Sequence, residues 1–462
     1  MQLSTESSVV SMPKRTEANR KTNIGVARAV PVLLLAIIGY ASWVLTKLIC
    51  VDYLISPPRS ILARPQIGSA IAILVIYYIL LILLLVTFGR LLDTVVRRPG
   101  LIPRGPQWYV ERARQKKNQD GRRSRSTSRS EGEKSAGSDL SDSKMPTEMQ
   151  YLASESLPFK VEDFWLRDVF VCNADGRPPF CSTCYNWKPD RSHHCSEVNR
   201  CVLKFDHFCP WVGGVVSETS FKFFVQFTFY GGLLTLHLLV VTAYFFARRR
   251  QDSNFLNGHW IALLAVSGLF FLFSGGMCMS SCQFALISST TIENLNRKTK
   301  VWFLAVHTPS QVLEEAHEKR IELRLISYPR PPEEQLQMLQ QHGASNLPSA
   351  NVQQASSSSP IAATGHRTFA ILESAPGDNP FDIGPLSNFQ EIMGMTIWEW
   401  LSPIKPSPCL KHDSMTSLYK LGPVVDEMKA NTGLKTWTSQ RSKSSRRQRR
   451  RARSESTTHN DA

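Results

Sequence analysis

The sequence predicts an α-helical multi-pass membrane protein, with four transmembrane helices and a small cysteine-rich cytosolic domain between helices 2 and 3. Three observations carry this fold class. Four stretches are apolar over the roughly 20 residues that a bilayer crossing needs. Lys and Arg gather beside these stretches mainly on one side. Five of the 10 cysteines fall between Cys181 and Cys209, after the second stretch and before the third.

The elements follow in chain order. Residues 1–28 are polar and read as a cytosolic N-terminal segment. The first span is 29–50, "AVPVLLLAIIGYASWVLTKLIC". It starts too late and runs too long to be a cleaved signal peptide, and no small-residue cleavage site follows it. The second span is 68–89, "GSAIAILVIYYILLILLLVTFG". Residues 113–156 are poor in apolar side chains and rich in Ser, Lys and Arg, the composition of a disordered linker. The cysteine-rich segment covers 172–220 and runs straight into a third span, 223–247, with a fourth at 260–286. Residues 287–330 read as ordered and partly helical. Residues 331–367 are a Pro-, Gln- and Ser-rich linker, 379–406 regain aromatic residues, and 438–462 form a disordered basic tail.

The net charge of +16 sits mostly in these polar linkers and tails. Basic runs beside spans mark the cytosolic side or touch anionic lipid. No base-reading module accompanies them, so nucleic acid is not an expected partner. Lys14, Arg15, Arg20, Lys21 and Arg28 precede the first span, many cations follow the second, and Arg297, Lys298 and Lys300 follow the fourth. That bias places both termini and the cysteine-rich domain in the cytosol. Arg248, Arg249 and Arg250 oppose it, because they fall on the outer side.

Disulfides are rare in the cytosol, so the cysteine cluster points to metal ligation or thiol chemistry. In "CSTCYNWKPDRSHHCSEVNRCVLKFDHFC", Cys181 and Cys184 form a C-x-x-C turn, and His194 and Cys201 can complete a tetrahedral Cys₃His zinc site. On spacing alone His193 or Cys195 can replace one of them. The stretch has little apolar content, and zinc can supply the folding free energy that burial cannot.

"KPDRSHHCSEVNRCVLKFDHFCPWV" resembles the cysteine-rich domain of DHHC-type protein S-acyltransferases, which are four-span membrane palmitoyltransferases. "TTIE" at 290–293 is similar to the family's TTxE motif. "DIGPLSNFQEIMG" at 382–394 is similar to its C-terminal motif centred on Asn388. The resemblance implies a two-step transfer. Cys209 takes the acyl group from palmitoyl-CoA as a thioester, then passes it to a cysteine of a membrane-associated protein. A thiolate is the nucleophile. His207 is the implied base, and Asp206 orients and stabilises its imidazole. Residues two apart on an extended segment point the same way, so His207 and Cys209 can face one pocket. Thr291 is expected to tie the end of the fourth span to this region, and Asn388 to hydrogen-bond backbone near the spans.

The sequence also departs from the family. Its usual second zinc site falls here on Cys195, Val198, Phe208 and Val215, so only one ligand remains. A small hydrophobic cluster is expected in place of the second ion, leaving one structural Zn²⁺. The aromatic third residue of "DHFC" resembles a fungal subgroup. Arg98 replaces the Asp of Asp-Pro-Gly, Gly213 and Gly214 replace Asn, and Ser220 replaces another Asn. The lost ligands motivate one alternative, a catalytically inactive, zinc-stabilised membrane scaffold. A RING-type ligase needs two full ligand sets, and a transporter needs an internal repeat. The sequence offers neither. Cys195 and Cys409 are expected to be free thiols, open to acylation themselves.

Overall fold

A computed structural model describes residues 17–57, 64–114, 157, 159–252, 257–329, 366–435 and 437. Four helices are long and apolar enough to cross a membrane. Helix α1 (Glu17–Trp43) continues as a π-helical stretch, Val44–Ile55. It is followed by α2 (Ile67–Arg97), α3 (Phe221–Asp252) and α4 (Gly258–Leu286). A helix satisfies its backbone within the segment, as the lipid interior requires. The apolar window of α3 is 56% buried, against 11–22% for the others, so α3 is the central helix. Small residues let α4 approach it. A Cβ on Gly231 would meet the Ser274 hydroxyl at 2.8 Å, and one on Gly232 would lie 3.8 Å from the Gly275 nitrogen.

All four expected spans are present, and each helix runs past its apolar stretch. Residues 17–28, expected as part of a polar segment, belong to α1, while 1–16 lie outside the described residues. The α2 extension reaches Arg97 because Leu91 and Val95 bury themselves against the strand carrying Cys209 and the start of α3. At the far end of α3, the Arg249 guanidinium sits 5.0 Å from the Tyr53 ring and 5.5 Å from the Trp260 ring. These rings end α1 and begin α4, which gives one of the three opposing arginines a favourable aromatic setting.

The cysteine-rich segment folds as three small antiparallel hairpins. These are β2 (Phe180–Cys181) with β3 (Asn186–Trp187), β4 (His193–Cys195) with β5 (Arg200–Val202), and β6 (His207–Cys209) with β7 (Gly214–Val216). The turns need left-handed backbone at Tyr185, Asn199 and Gly213, with φ of 52°, 53° and 76°. Gly and Asn both adopt that conformation, which explains Gly213 where the family commonly has Asn. Gly214 has another reason: a Cβ there would meet Val95 at 2.7 Å.

A four-stranded antiparallel sheet, absent from the sequence reading, lies beside the hairpins. Its order is β1 (Val169–Cys172), β8 (Phe303–His307), β10 (Arg367–Glu373), β9 (Leu325–Tyr328). Val306 pairs with both Val169 and Ala370, and Phe369 with Ile326. The expected 331–367 linker therefore ends early, since Arg367 opens β10; 330–365 lie outside the described residues. Within 287–329, α5 (Thr291–Leu295) and α6 (Ser310–Glu318) are helical. The region also supplies two strands of the sheet. Helices α7 (Pro385–Met393), α8 (Ile397–Leu401) and α9 (Pro423–Ala430) complete the C-terminal part. Of the expected disordered linker at 113–156, residues 113 and 114 are helical and 115–156 lie outside the described residues, as does the expected disordered tail at 438–462.

Candidate active site and metal centre

Cys181, Cys184, His194 and Cys201 converge, with all ligand atoms within 4.8 Å of one another. The β2–β3 turn supplies the first two. His194 and Cys201 face each other directly across β4–β5. The three sulfurs lie 3.6, 3.4 and 3.9 Å from His194 Nδ1. A tetrahedron built from Zn–S and Zn–N bonds has S–N edges of about 3.5 Å, so the donor set fits zinc. Alternation along β4 settles the spacing ambiguity, because it turns His193 and Cys195 away from His194.

Cys195 enters a separate cluster instead. There it packs with Val202, Phe205 and Val215, while Val198, Phe208, Leu101 and Ile292 close the edges. The four positions of the family's second zinc site are thus gathered in one apolar knot, as the sequence reading expected.

The same alternation operates on β6. Phe208 points into that knot, whereas Cys209 is buried in a cluster with Leu91, Val95, Phe221 and Phe224. His207 shares the Cys209 side, edge-on to Phe224 at 5.3 Å between ring centroids. Its Nδ1 lies 2.7 Å from Asp206 Oδ2. Asp206 is buried, and Thr291 completes its carboxylate shell. The Thr291 backbone N–H donates to Oδ1 and its hydroxyl to Oδ2, each at 2.9 Å. Burial disfavours the charged imidazolium, but hydrogen bonds to Asp206 and Cys209, with the charges of both, outweigh it. The His207 pKa is raised to about 9.

Thr291 does not cap its helix. That is the task of Thr290, whose hydroxyl accepts from Glu293 N while the Glu293 carboxylate accepts from Thr290 N. Glu293 also forms a buried bidentate pair with Arg191, at 2.9 and 2.6 Å. Burial pushes Glu293 up, but the Arg191 charge and hydrogen bond bring its pKa down to about 2. Arg191 also donates to the Ser288 carbonyl at 2.8 Å. The cysteine-rich domain and the end of α4 are thereby locked together. Neither partner of this pair was identified from sequence, although Glu293 closes the TTIE motif and Arg191 lies in KPDRSHH. The signal was present, but nothing in one dimension brings these two charges together.

Asn388 donates to the Leu286 carbonyl at 2.8 Å, satisfying the last turn of α4. It also donates to Asp382 at 2.7 Å and accepts from Ile383 N at 2.9 Å. Gln226 and Tyr230 of α3 donate to the carbonyls of Trp400 and Leu401, at 2.8 and 2.7 Å. A buried triad of Glu218, His412 and Tyr419, also missed from sequence, joins the start of α3 to the C-terminal part. Cys195 and Cys409 are free thiols but only 1% and 6% exposed. Cys209 is itself 5% exposed, so burial does not set these two thiols apart from it. Arg98, in place of the family's Asp, lies on the surface 4.0 Å from Asp93. The turn survives without the Asp: Gly100 has φ 74°, and the Pro99 carbonyl accepts from the Ser217 hydroxyl at 3.1 Å.

An apolar cavity of about 80 Å³ lies among the four membrane helices. Trp211, two residues after Cys209, lines it. Tyr77 also lines it, with its hydroxyl 2.7 Å from the Ser42 hydroxyl.

Fold and site together define a four-helix membrane protein with a Cys₃His cluster suited to a metal and a Cys–His–Asp array. The DHHC palmitoyltransferase family model matches residues 175–298. The palmitoyltransferase pfa5 of Aspergillus fumigatus is 42% identical over 439 residues, covering 92% of this chain and 94% of its own. The palmitoyltransferase pfa5 of Emericella nidulans is 41% identical over 441 residues, covering 91% and 88%. The palmitoyltransferase PFA5 of Kluyveromyces lactis is 34% identical over 146 residues, covering 31% and 41%. The chain belongs to the DHHC palmitoyltransferase family, and its class of activity is protein S-acyl transfer.

Proposed function

We propose that this protein transfers a long-chain acyl group from palmitoyl-CoA, through a thioester on Cys209, to cysteines of membrane-associated proteins. The observation that carries the reading is the array of Asp206, His207 and Cys209, fixed by Thr291 beside an apolar cavity. In the first half-reaction His207 takes the Cys209 proton. The thiolate attacks the thioester carbonyl, the bond from carbonyl carbon to CoA sulfur breaks, and the proton passes to the departing CoA thiolate. In the second half the substrate cysteine gives its proton to His207 and attacks the acyl-enzyme. Cys209 leaves as thiolate and recovers the proton. Asp206 keeps the imidazole in place and stabilises its protonated form throughout.

The cavity holds the acyl chain, each buried methylene favouring binding by about 0.8 kcal/mol. One Zn²⁺ on Cys181, Cys184, His194 and Cys201 supplies folding free energy to the hairpins, and no proton or acyl group passes through it. The Lys and Arg bias puts the termini and Cys209 on the cytosolic side, where acyl-CoA and substrate cysteines are found. No observation favours the inactive scaffold.

The test is autoacylation of purified protein in detergent with labelled palmitoyl-CoA, wild type beside Cys209→Ser. A label on wild type alone, released by neutral hydroxylamine, is the expected result. No label on folded, zinc-loaded wild type would overturn the reading. A label on both proteins would move the acyl carrier to another cysteine.

A further inference from the structure

A polar cleft of 560 Å³ opens between the start of α1, the helical residues 106–114 and the β2–β3 turn. That is within the range of small-molecule sites. Arg20, Arg104 and Arg112 line it together with Trp108. Arg104 lies 3.7 Å from the Trp108 ring centroid and Arg112 lies 4.9 Å from it, so the ring holds both cations in place. Arg104 donates one N–H to the Asn199 carbonyl at 3.0 Å, and its Nε is buried with no partner among the described residues. Glu111, the one carboxylate among the described lining residues, pairs with Arg114 at 3.7 Å. Neither Arg20 nor Arg104 has a carboxylate partner among the described residues. The cleft gathers three arginines against one carboxylate, and a bound dianion offsets that excess of positive charge.

Position narrows the ligand. The apolar run of α1 opens at Ala29, and Arg20 stands nine residues earlier, about 14 Å along the helix axis. The head-group layer is only about 5–8 Å deep on each side of the hydrocarbon. A phosphodiester at the glycerol lies too deep to reach the cleft. A phosphate carried outward on a head-group ring reaches it.

We infer that this cleft binds a phosphate monoester borne on the projecting head group of an anionic membrane lipid. Free phosphate esters share the chemistry, and the test separates the two sources. Full-length protein in phosphatidylcholine nanodiscs is titrated with fluorescent dioctanoyl phosphatidylinositol phosphate, with soluble inositol phosphate and coenzyme A as competitors. Saturable binding of the lipid probe is expected, weakened about thirtyfold in the double variant Arg20→Gln/Arg104→Gln by loss of two cationic contacts. Zinc content checks that the variant is folded. If Arg104→Gln disrupts the fold, Arg20→Gln alone, on the first turns of α1, should weaken binding about fivefold. Equal affinity for soluble inositol phosphate would keep the anion site and make free phosphate esters its source. Unchanged binding in the variants, no saturable binding, or displacement by coenzyme A at least as potent as by inositol phosphate would overturn the inference.

Discussion

Thr291 donates twice to Asp206, from its backbone nitrogen and from its hydroxyl, at 2.9 Å each. With His207 Nδ1 at 2.7 Å, the carboxylate has three donors in a buried setting. Its direction is therefore fixed from the start of α5, although it lies on the cysteine-rich domain. Thr291→Val keeps the shape and the backbone donor but removes the hydroxyl. A hydrogen bond to a charged group contributes about 1.5–3 kcal/mol, so part of that should appear in the barrier. Autoacylation by Thr291→Val should slow about tenfold, while the zinc content stays at the wild-type level. An unchanged rate would reduce Thr291 to a backbone contact.

The His207–Asp206 pair makes stability depend on pH. The folded pKa of His207, about 9, is above its ordinary value of about 6.5. A raised pKa means that the folded state holds the proton more tightly than the unfolded chain. The contribution is fully present below about pH 6.5 and is lost as pH rises through about 9. The difference in melting temperature between wild type and Asp206→Asn should therefore shrink from pH 6 toward pH 10. A constant difference would show that the two side chains are not coupled through this proton.

How much of this was readable in the sequence depends on range. The four spans were legible because each is a local apolar run; the C-x-x-C turn marked the Cys₃His region, but the resemblance chose His194 over His193 or Cys195 and picked out Asp206, His207 and Cys209. The apolar knot was legible for a different reason, since several family ligand positions change to Val and Phe together. The sheet was not legible. Its strands β1, β8 and β10 come from segments far apart, and β10 is separated from β9 by a polar stretch that carries no pairing signal. Arg191, Glu293 and the Glu218–His412–Tyr419 triad were hidden likewise. A charge in a polar stretch looks solvated until the fold buries it.

The lock between Arg191 and Glu293 has a large expected cost of removal. Both side chains are nearly inaccessible, at 1% and 5% exposure. Truncating one partner leaves the other charge buried and unpaired, which costs about 3–5 kcal/mol. Glu293→Ala should therefore lower the melting temperature strongly and release zinc more readily. The double replacement Arg191→Met/Glu293→Leu should recover much of that loss, because neither charge then remains. A mild effect of Glu293→Ala in thermal melts would contradict the buried geometry.

Metal content separates the knot from a vestigial zinc site. Purified protein should carry one zinc per chain by elemental analysis. Phe208→His should not raise that number, because Val198 and Val215 still offer no ligand beside Cys195. The same change puts a polar ring against an apolar cluster and should destabilise the domain by about 1–3 kcal/mol. Two zinc ions per wild-type chain would refute the assignment of Val198, Phe208 and Val215 to packing.

The membrane cavity carries a prediction about the acyl chain. Tyr77 is fully buried, lines the cavity and is held by its 2.7 Å contact with Ser42. The lining on α1 runs from Leu34 to Ala41, about 10 Å along the axis, and Ser42, the next residue, bonds the lining Tyr77. A longer chain must displace the phenol and take its hydroxyl from Ser42, whose own hydroxyl keeps its bond to the Ile38 carbonyl at 2.7 Å. Tyr77→Ala removes that stop and opens space directly beyond it. Two further methylenes buried there favour the longer chain by about 1.6 kcal/mol, or roughly tenfold. In competition between acyl-CoAs of increasing length, Tyr77→Ala should shift the preferred donor to longer chains by about that factor. Tyr77→Phe, which keeps the ring and loses only the hydroxyl contact, should shift it less. The same preference in all three proteins would place the end of the chain elsewhere, and the cavity would no longer set donor length.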